Sequence, residues 1–236
     1  MLAVEFCRTE ELSTQLSNGK CAGAVVVDLF RATSTLQVLV DHGHSAIHVV
    51  ATPERARAAL ARGHRCVGEW LGVTPPGFSC GNSPVAARSL DPDGPPITFL
   101  SSNGAGALIA TSRAADSVLV GNLFNIQAVR RAMLDRGGRW LLVPAGVRGA
   151  PCVEDDFVCA RLAAGLDGAA ALGARIDRLI ADLTGVTARD LLSCEAADRL
   201  ARDEPTGRAD VEFIVTGAVR SVRIPVFAGG VVSAAP

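Results

Sequence analysis

The stretch VVVDLFRATS, residues 25–34, places charged and hydroxyl side chains directly after an apolar run. Asp28 ends the run, Arg31 follows it, and Thr33 and Ser34 come next. A carboxylate at such a position can hold a divalent cation, and a guanidinium beside hydroxyl groups can bind a phosphate. The simpler alternative is a helix start in which Asp28 and Thr33 cap the helix while Arg31 stays in solvent.

Polar clusters also follow three later apolar runs and occupy one long loop. Each has an ordinary interpretation, as turn residues, as a helix cap, or as acids that suit a helix dipole. Independent accidents would be needed to place such clusters after four successive runs, so we favour a site for a small, multiply charged anion with Mg²⁺. The candidate residues are Ser102, Asn103 and Gly104 in SSNGAG, Asn125 in GNLFN, Arg148, Glu154 and Asp155 in PAGVRGAPCVEDD, and Glu69, Asn82 and Ser83 in and before the long loop.

Short runs rich in Val and Ile alternate with segments of helical period along most of the chain. This pattern predicts a three-layer α/β/α fold, with a largely parallel or mixed sheet covered by helices on both faces. Ligands of such sheets bind outside the carboxyl ends of the strands, which is where the polar clusters fall. The predicted strands are residues 22–28, 46–50, 64–70, 97–102, 117–121 and 139–146.

Helices are predicted between these strands and through most of the last third of the chain. Residues 33–43 and 125–137 have amphipathic periods that end at glycine. The segment 71–96 is rich in Pro and Gly; a loop of that length inside a compact domain is usually functional, and the alternative is a linker. One or two terminal strands are predicted within residues 210–227. We expect a single domain over residues 1–236.

Composition and charge exclude several classes of protein. Hydrophobic residues make up 49% of the 236 residues, enough for a real core, and 23 basic residues nearly balance 24 acidic ones. The protein therefore has no overall electrostatic field that would attract a nucleic acid or an acidic membrane surface. No apolar run in the sequence is long enough to span a membrane. The seven cysteines are scattered and the N-terminus does not resemble a signal peptide, so we expect reduced thiols in a cytoplasmic protein.

Common nucleotide- and phosphate-binding motifs are not matched. NGAGALIA has the first two glycines of G-x-G-x-x-G, but Ile109 occupies the third position. The only lysine, Lys20, precedes a cysteine, which excludes a P-loop. Phe30 stands where a D-x-D phosphatase would have its second acid. Any phosphatase activity must therefore use another arrangement of residues.

Five motifs occur in one order along residues 23–165: VVVDLFRATST, GEW followed by GFSCGNSP, SSNGAGAL, GNLFNIQAV and AGVRGAPCVEDDFVCA. Together they resemble the 2-phosphosulfolactate phosphatase family, the ComB-like proteins. The resemblance implies a Mg²⁺-dependent phosphohydrolase with a three-layer α/β fold that converts 2-phospho-3-sulfolactate to 3-sulfolactate and phosphate. It also implies a link to coenzyme M biosynthesis, and family analogy suggests a homodimer.

The resemblance matches individual positions of these motifs, and we assign their roles as a hypothesis. Our hypothesis takes the metal ligands from Asp28, Glu69, Glu154 and Asp155, and the catalytic residues are Asp28, Arg31, Glu154 and Asp155. Arg148 is our candidate for binding the sulfonate or carboxylate of the substrate. The other substrate-binding candidates are Thr33, Ser34, Asn82, Ser83, Ser102, Asn103, Gly104 and Asn125.

Some positions depart from the pattern of the family. Trp70 stands in place of an arginine after Gly-Glu, and Ser79 in place of the aspartate of G-F-D. Two alternatives therefore stay open: a phosphatase of another small phosphorylated organic acid, and a non-catalytic member that binds an organic anion. Direct attack by water and a phospho-enzyme also both stay open. The remaining departures are Ser101, Ser102, Ala105 and Pro144.

Overall fold

Ten strands form one sheet in the computed structural model, which describes residues 1–16, 19–166, 170–217 and 220–235. The strands predicted from the alternating pattern are β2 to β7, and their observed ends lie within two residues of the predicted ones. The strands are β1 (Leu2–Phe6), β2 (Gly23–Val27), β3 (Ile47–Val50), β4 (Arg65–Gly68), β5 (Ile97–Leu100), β6 (Val118–Gly121), β7 (Gly138–Pro144), β8 (Ala170–Leu172), β9 (Pro225–Ala228) and β10 (Val231–Ala234).

Helices connect the strands and cover the sheet, which gives the three-layer α/β/α arrangement. In the part of the chain that the structure describes, no helix is both long and apolar enough to cross a membrane. Two short 3₁₀ helices, Thr9–Glu11 and Ala188–Ser193, precede α1 and α9. The α-helices are α1 (Leu12–Leu16), α2 (Ala32–Asp41), α3 (Pro53–Ala61), α4 (Pro84–Ala87), α5 (Gly104–Thr111), α6 (Ile126–Arg136), α7 (Val153–Ala164), α8 (Ala174–Asp182), α9 (Glu195–Asp203) and α10 (Gly207–Thr216).

The sheet contains two parallel groups of strands separated by a hairpin, in the order β4-β5-β3-β10-β9-β6-β2-β7-β1-β8. Strands within each group are parallel, whereas β10 pairs antiparallel with β3, and β9 pairs antiparallel with both β10 and β6. Because three antiparallel pairings in a row separate β3 from β6, the two groups run in opposite directions along the sheet. The sheet is therefore mixed. Even so, α5, which follows β5, packs against β2 and brings residues of the two groups together.

The sequence pattern misses β1 and the edge strand β8, and it predicts the terminal strands only in part. Residues 210–216 were predicted as strand but belong to α10, which packs on α9, so tertiary contacts override the β-propensity of this apolar run. Residues 218–219 of the same prediction lie outside the described residues. Residues 225–227 of the prediction do form strand, as the start of β9, whereas β10 lies beyond the predicted range. Gly229 and Gly230 join β9 and β10, and their positive φ angles suit a two-residue hairpin turn.

The interior of the sheet fixes the turn that carries Asp28. All five residues of β2 are buried, and β2 lies between β6 and β7. The helix that follows it, α2, is buried along nearly its whole length. A turn held between a central strand and an enclosed helix has little freedom, so the polar side chains on it have defined positions.

Candidate active site

A cavity of about 520 Å³ lies where segments that follow β2, β4, β5 and β7 meet. A larger cavity of about 780 Å³ along α6 contains none of the predicted site residues. The smaller cavity brings many of them together: its wall includes Asp28, Arg31, Glu69, Asn82, Ser102, Asn103 and Arg148. The remaining lining residues are Phe30, Leu71, Gly72, Val73, Ser101, Val147, Arg199, Leu200, Asp203 and Glu204.

Asp28 receives backbone N–H groups from two helix starts. The N–H of Ala32 donates to Asp28 Oδ1 at 3.3 Å, and the N–H of Gly104 lies close enough to this carboxyl group to lower its pKa. A Cβ atom at Gly104 would lie 2.7 Å from Asp28 Oδ2, so only glycine permits this close approach. Gly104 was predicted to bind substrate, but the structure places it in contact with Asp28 and off the cavity wall.

Glu154 and Asp155 lie in the first turn of α7 and are buried next to the Asp28 turn. The two carboxylate oxygens of Asp155 accept the N–H of Leu29 at 2.8 Å and that of Gly146 at 3.0 Å. Asp155 therefore joins the turn after β2 to the loop after β7. One ligand atom each of Cys152, Glu154 and Asp155 lies within 4.8 Å of the other two. Neither acid forms part of the cavity wall.

The carboxylates in this region repel one another because they are buried and close together. Burial, and then the charges of Glu69 and Glu154, raise the pKa of Asp28 to about 7. Burial and the charges of Asp28 and Glu154 raise the pKa of Asp155 well above its usual value. Burial likewise raises the pKa of Glu154, although the positive charge of Arg199 opposes that shift. The positive charges near Asp28, Glu154 and Asp155 therefore compensate only part of the negative charge of these carboxylates.

Glu69 joins the turn after β4 to the turn after β5. Its Oε1 accepts the N–H of Ser102 at 2.7 Å, and its Oε2 accepts the Ser102 hydroxyl at 2.9 Å and the N–H of Gly72 at 2.8 Å. The Ser102 hydroxyl also accepts the N–H of Leu71 at 2.6 Å. Both carboxylate oxygens of Glu69 are therefore already used in holding the cavity wall together.

Asn82, Asn103 and Arg148 reach the cavity from three different loops. Asn103 Oδ1 accepts the N–H of Arg148 at 3.1 Å, and Arg148 is exposed with a left-handed φ of 52°. Asn82 is only 4% exposed, and its Oδ1 has no hydrogen-bond partner among the described residues. Because a buried oxygen without a donor is costly, a group bound in the cavity would relieve this position.

Arg31 is held by two acidic residues from the C-terminal helices. Its guanidinium donates to Asp210 Oδ2 at 2.7 Å and lies 3.1 Å from Glu204 Oε1. Asp210, which is fully buried, also accepts the hydroxyl of Ser83 at 2.6 Å and that of Thr206 at 2.8 Å. Asp210 therefore connects the β2 turn, the GNSP segment and α10. Ser83 serves this network and does not line the cavity, whereas phosphate binding by Arg31 stays a prediction.

Besides Gly104 and Ser83, three more predicted substrate ligands lie away from the cavity wall. The hydroxyls of Thr33 and Ser34 are fully buried and donate to backbone carbonyls of the Asp28 turn at 2.8 and 2.9 Å. The amide of Asn125 donates to Gln37 Oε1 at 2.7 Å inside the protein. Because these polar groups are already paired with protein atoms, the geometry gives no support to their role as substrate ligands.

Sequence reasoning missed the residues that α9 and α10 contribute. Arg199, Asp203 and Glu204 line the cavity, and Asp210 holds Arg31. The pattern of α9 is that of an ordinary amphipathic surface helix, so nothing local distinguishes Arg199. Asp210 did carry a signal: it begins an apolar run, and an acid buried with such a run is almost never unpaired.

Comparison with known proteins indicates the same family as the five sequence motifs. A family model described as 2-phosphosulpholactate phosphatase matches residues 7–214. Among the relatives, a protein of Thermotoga maritima named "Probable 2-phosphosulfolactate phosphatase" is 31% identical over 136 residues, which are 58% of this chain and 59% of that protein. A protein of Methanothermobacter thermautotrophicus named "2-phosphosulfolactate phosphatase" is 34% identical over 145 residues, 61% of each chain. The aligned segments thus span about three fifths of these relatives. This chain belongs to the 2-phosphosulpholactate phosphatase family.

Proposed function

We propose that this protein is a Mg²⁺-dependent phosphatase that hydrolyses 2-phospho-3-sulfolactate to 3-sulfolactate and phosphate. The observation that carries the proposal is a single cavity wall that combines Asp28 and Glu69 with Asn82 and Arg148. A carboxylate beside an unpartnered amide oxygen suits a hard cation, and a guanidinium suits an acidic substrate. Membership of the family supports the same reaction.

The charges around the cavity favour a divalent cation as cofactor. Four carboxylate side chains line the cavity against three guanidinium groups, and Glu154 and Asp155 lie buried nearby. A phosphate monoester adds roughly two further negative charges at neutral pH. Such a substrate would be repelled unless positive charge were added. Mg²⁺, which is bound through carboxylate and other oxygen ligands, fits the residues present.

Among the four proposed metal ligands, Asp28 and Glu154 accept the longer hydrogen bonds, from the Ala32 N–H at 3.3 Å and from the Cys194 thiol at 4.0 Å, and are therefore the more available to Mg²⁺. Glu69 and Asp155 already accept hydrogen bonds with both of their oxygens. Asn82 Oδ1 offers one more buried oxygen. When bound, Mg²⁺ would neutralise phosphate charge and stabilise the charge that develops during transfer. Because the pKa values of Asp28 and Glu154 are raised, their carboxyl groups should release protons as the metal binds.

The side chains of the protein itself bind and orient the substrate in this proposal. Arg31, fixed by Asp210 and Glu204, places a positive charge on the wall beside Asp28 and faces the phosphoryl group. Arg148 binds a sulfonate or carboxylate through its paired N–H donors. Both an attacking water and a phosphorylated aspartate remain compatible with this arrangement.

Phosphate release from racemic 2-phospho-3-sulfolactate tests the proposal directly. We expect rapid release with Mg²⁺, none with EDTA, and loss of activity in Asp28→Asn with the fold retained. 2-Phosphoglycolate and 2-phospholactate serve as comparison substrates. Release from these two alone would show that the substrate is another phosphorylated acid, and no release from any of the three would show a non-catalytic member of the family.

We also propose a cytoplasmic location, a role in coenzyme M biosynthesis, and a homodimer that has neither nucleic acid nor membrane partners. The location is supported by the seven cysteines, all of which are free thiols. Balanced charge supports the expectation about nucleic acids and membranes. The homodimer rests on family analogy, and sedimentation velocity would test it.

A further inference from the structure

Arg199, in the middle of α9, lines the cavity but belongs to none of the motifs recognised in the sequence. It is half-buried, and it shares the cavity wall with Arg148 from the loop after β7. Among the described residues, no carboxylate lies within 4.0 Å of either guanidinium. The third arginine on the wall, Arg31, is instead paired with two acids.

Because only Arg31 is paired with acidic residues, the three arginines on the wall have different roles. The charge of Arg31 is balanced by Asp210 and Glu204, so its position is fixed by the protein. Arg148 and Arg199 keep their hydrogen-bonding capacity for a ligand. A guanidinium presents planar pairs of N–H donors that match the oxygens of a carboxylate or sulfonate, and it does so best where water is partly excluded.

A second feature of the same wall also indicates a ligand. Asn82 is 4% exposed, and its Oδ1 has no partner among the described residues. A ligand hydroxyl or a cation would satisfy this oxygen. The wall therefore offers a ligand two guanidiniums that have no carboxylate partner, and one acceptor that has no donor, among the described residues.

We propose that Arg199 is a specificity-determining residue that binds an acidic group of the substrate which is not transferred. With Arg148 binding a second such group, the cavity selects phosphate esters that carry two further acids, of the sulfonate or carboxylate type. The inference rests on the proposed function, since it concerns the same cavity. The sulfonate and carboxylate groups stay on the substrate when its phosphoryl group leaves. The dephosphorylated product therefore also binds Arg199.

The surroundings of Arg199 also suit a second role, and the experiment distinguishes that role from recognition of the substrate. Arg199 lowers the pKa of Glu154, so its charge reaches the carboxylate cluster. If that were its main function, loss of the charge would impair every phosphate ester alike. A role in recognising an acidic group predicts instead an effect that depends on the substrate.

The kinetic test compares Arg199→Gln with Arg202→Gln, an exposed arginine of the same helix that lies off the cavity wall. For 2-phospho-3-sulfolactate, Arg199→Gln should lower kcat/KM by roughly 10- to 100-fold, the range for lost hydrogen bonds to a charged group. For ethyl phosphate, which has no further acid, the value should change by less than about twofold. Arg202→Gln should match wild type on both. An equal fall on both esters would overturn the proposal.

Calorimetric binding of 3-sulfolactate gives a second readout that does not depend on turnover. With Mg²⁺ present, wild type should bind the acid and Arg199→Gln should bind it about tenfold more weakly or worse. Equal affinity of the two proteins, or no binding by wild type, would refute a role for Arg199 in recognition. Binding of 3-sulfolactate that depends on Arg199, without phosphate release from any ester, would support the role of Arg199. It would contradict the proposed phosphatase function.

Discussion

A Cβ atom placed on Gly104 would lie only 2.7 Å from the Oδ2 atom of Asp28. Gly104 begins α5 after β5, whereas Asp28 follows β2, so this contact joins the two parallel groups of the sheet that run in opposite directions. The same approach lets the Gly104 N–H reach the carboxylate. The candidate site therefore depends on close backbone packing as well as on its acidic residues.

Gly104→Ala should disturb the site, while Gly106→Ala on the same helix should not. The alanine methyl group at position 104 would also lie 2.6 Å from Ala32 Cβ, so α5 would have to move. We expect Gly104→Ala to cost about 1–3 kcal/mol, the usual cost of overpacking. At Gly106 a Cβ atom would meet no atom of the described residues within 4 Å, and alanine should stabilise the helix by up to about 1 kcal/mol. Urea denaturation measures both, and equal effects would contradict the packing argument.

Metal-free wild-type protein should lose stability relative to Asp28→Asn as the pH rises from about 4 to about 7. The folded-state pKa of Asp28 is raised from 3.8 to about 7, so the folded protein keeps a proton that the unfolded chain releases. That contribution to stability is fully present below pH 3.8 and is lost as the pH passes through the folded-state pKa. Denaturation in EDTA at several pH values measures the difference between the two proteins.

Two controls accompany this pH series. Asp182→Asn, an exposed position, should give a stability curve parallel to that of wild type. Adding Mg²⁺ at a hundred times its Kd at pH 8 should stabilise wild type by about 2.7 kcal/mol, and Asp28→Asn by much less. If wild type and Asp28→Asn kept a constant difference across the pH range, Asp28 would not be the group that titrates.

Asp210→Asn should destabilise the protein and lower its activity together. Asp210 is fully buried and balances the charge of Arg31 at 2.7 Å, so its loss leaves a buried guanidinium with Glu204 alone. Breaking a buried pair in this way costs about 3–5 kcal/mol. The matched control is Asp198→Asn, at an exposed position of α9. If the free energy of unfolding fell by less than about 1 kcal/mol, which is typical of an exposed ion pair, the Arg31–Asp210 pair would contribute little to stability.

Asn125→Ala should reduce stability without changing KM. The Asn125 amide donates to Gln37 Oε1 at 2.7 Å and to the Val120 carbonyl at 2.8 Å, both inside the protein. Leaving these buried acceptors short of a donor costs about 1–3 kcal/mol. Thermal denaturation and steady-state kinetics on the same variant measure the two quantities. An increased KM with unchanged stability would place Asn125 in the substrate site after all.

Local patterns in the sequence were sufficient to predict the framework of the site. Strands β2 to β7 appear as apolar runs because buried parallel strands need such residues, and these runs are visible without knowledge of the fold. The clusters around Asp28, Glu69 and Asn103 follow three of them. These clusters do meet at one cavity, as their placement at strand ends suggested.

Contacts between distant parts of the chain determine which polar residues line the cavity and which are hydrogen-bonded inside the protein. Leu29 and Asp155 are 126 positions apart, and Arg31 and Asp210 are 179 apart, yet each pair is directly hydrogen-bonded. The hairpin of β9 and β10 likewise sets the opposite directions of the two strand groups. A sequence window can show that a residue is polar and follows a strand, but not which partner fills its hydrogen bonds. Thr33 and Ser34 are paired inside the protein, whereas Arg199 lies on the cavity wall without a carboxylate partner among the described residues. Packing between distant segments therefore decides which polar groups remain for a ligand.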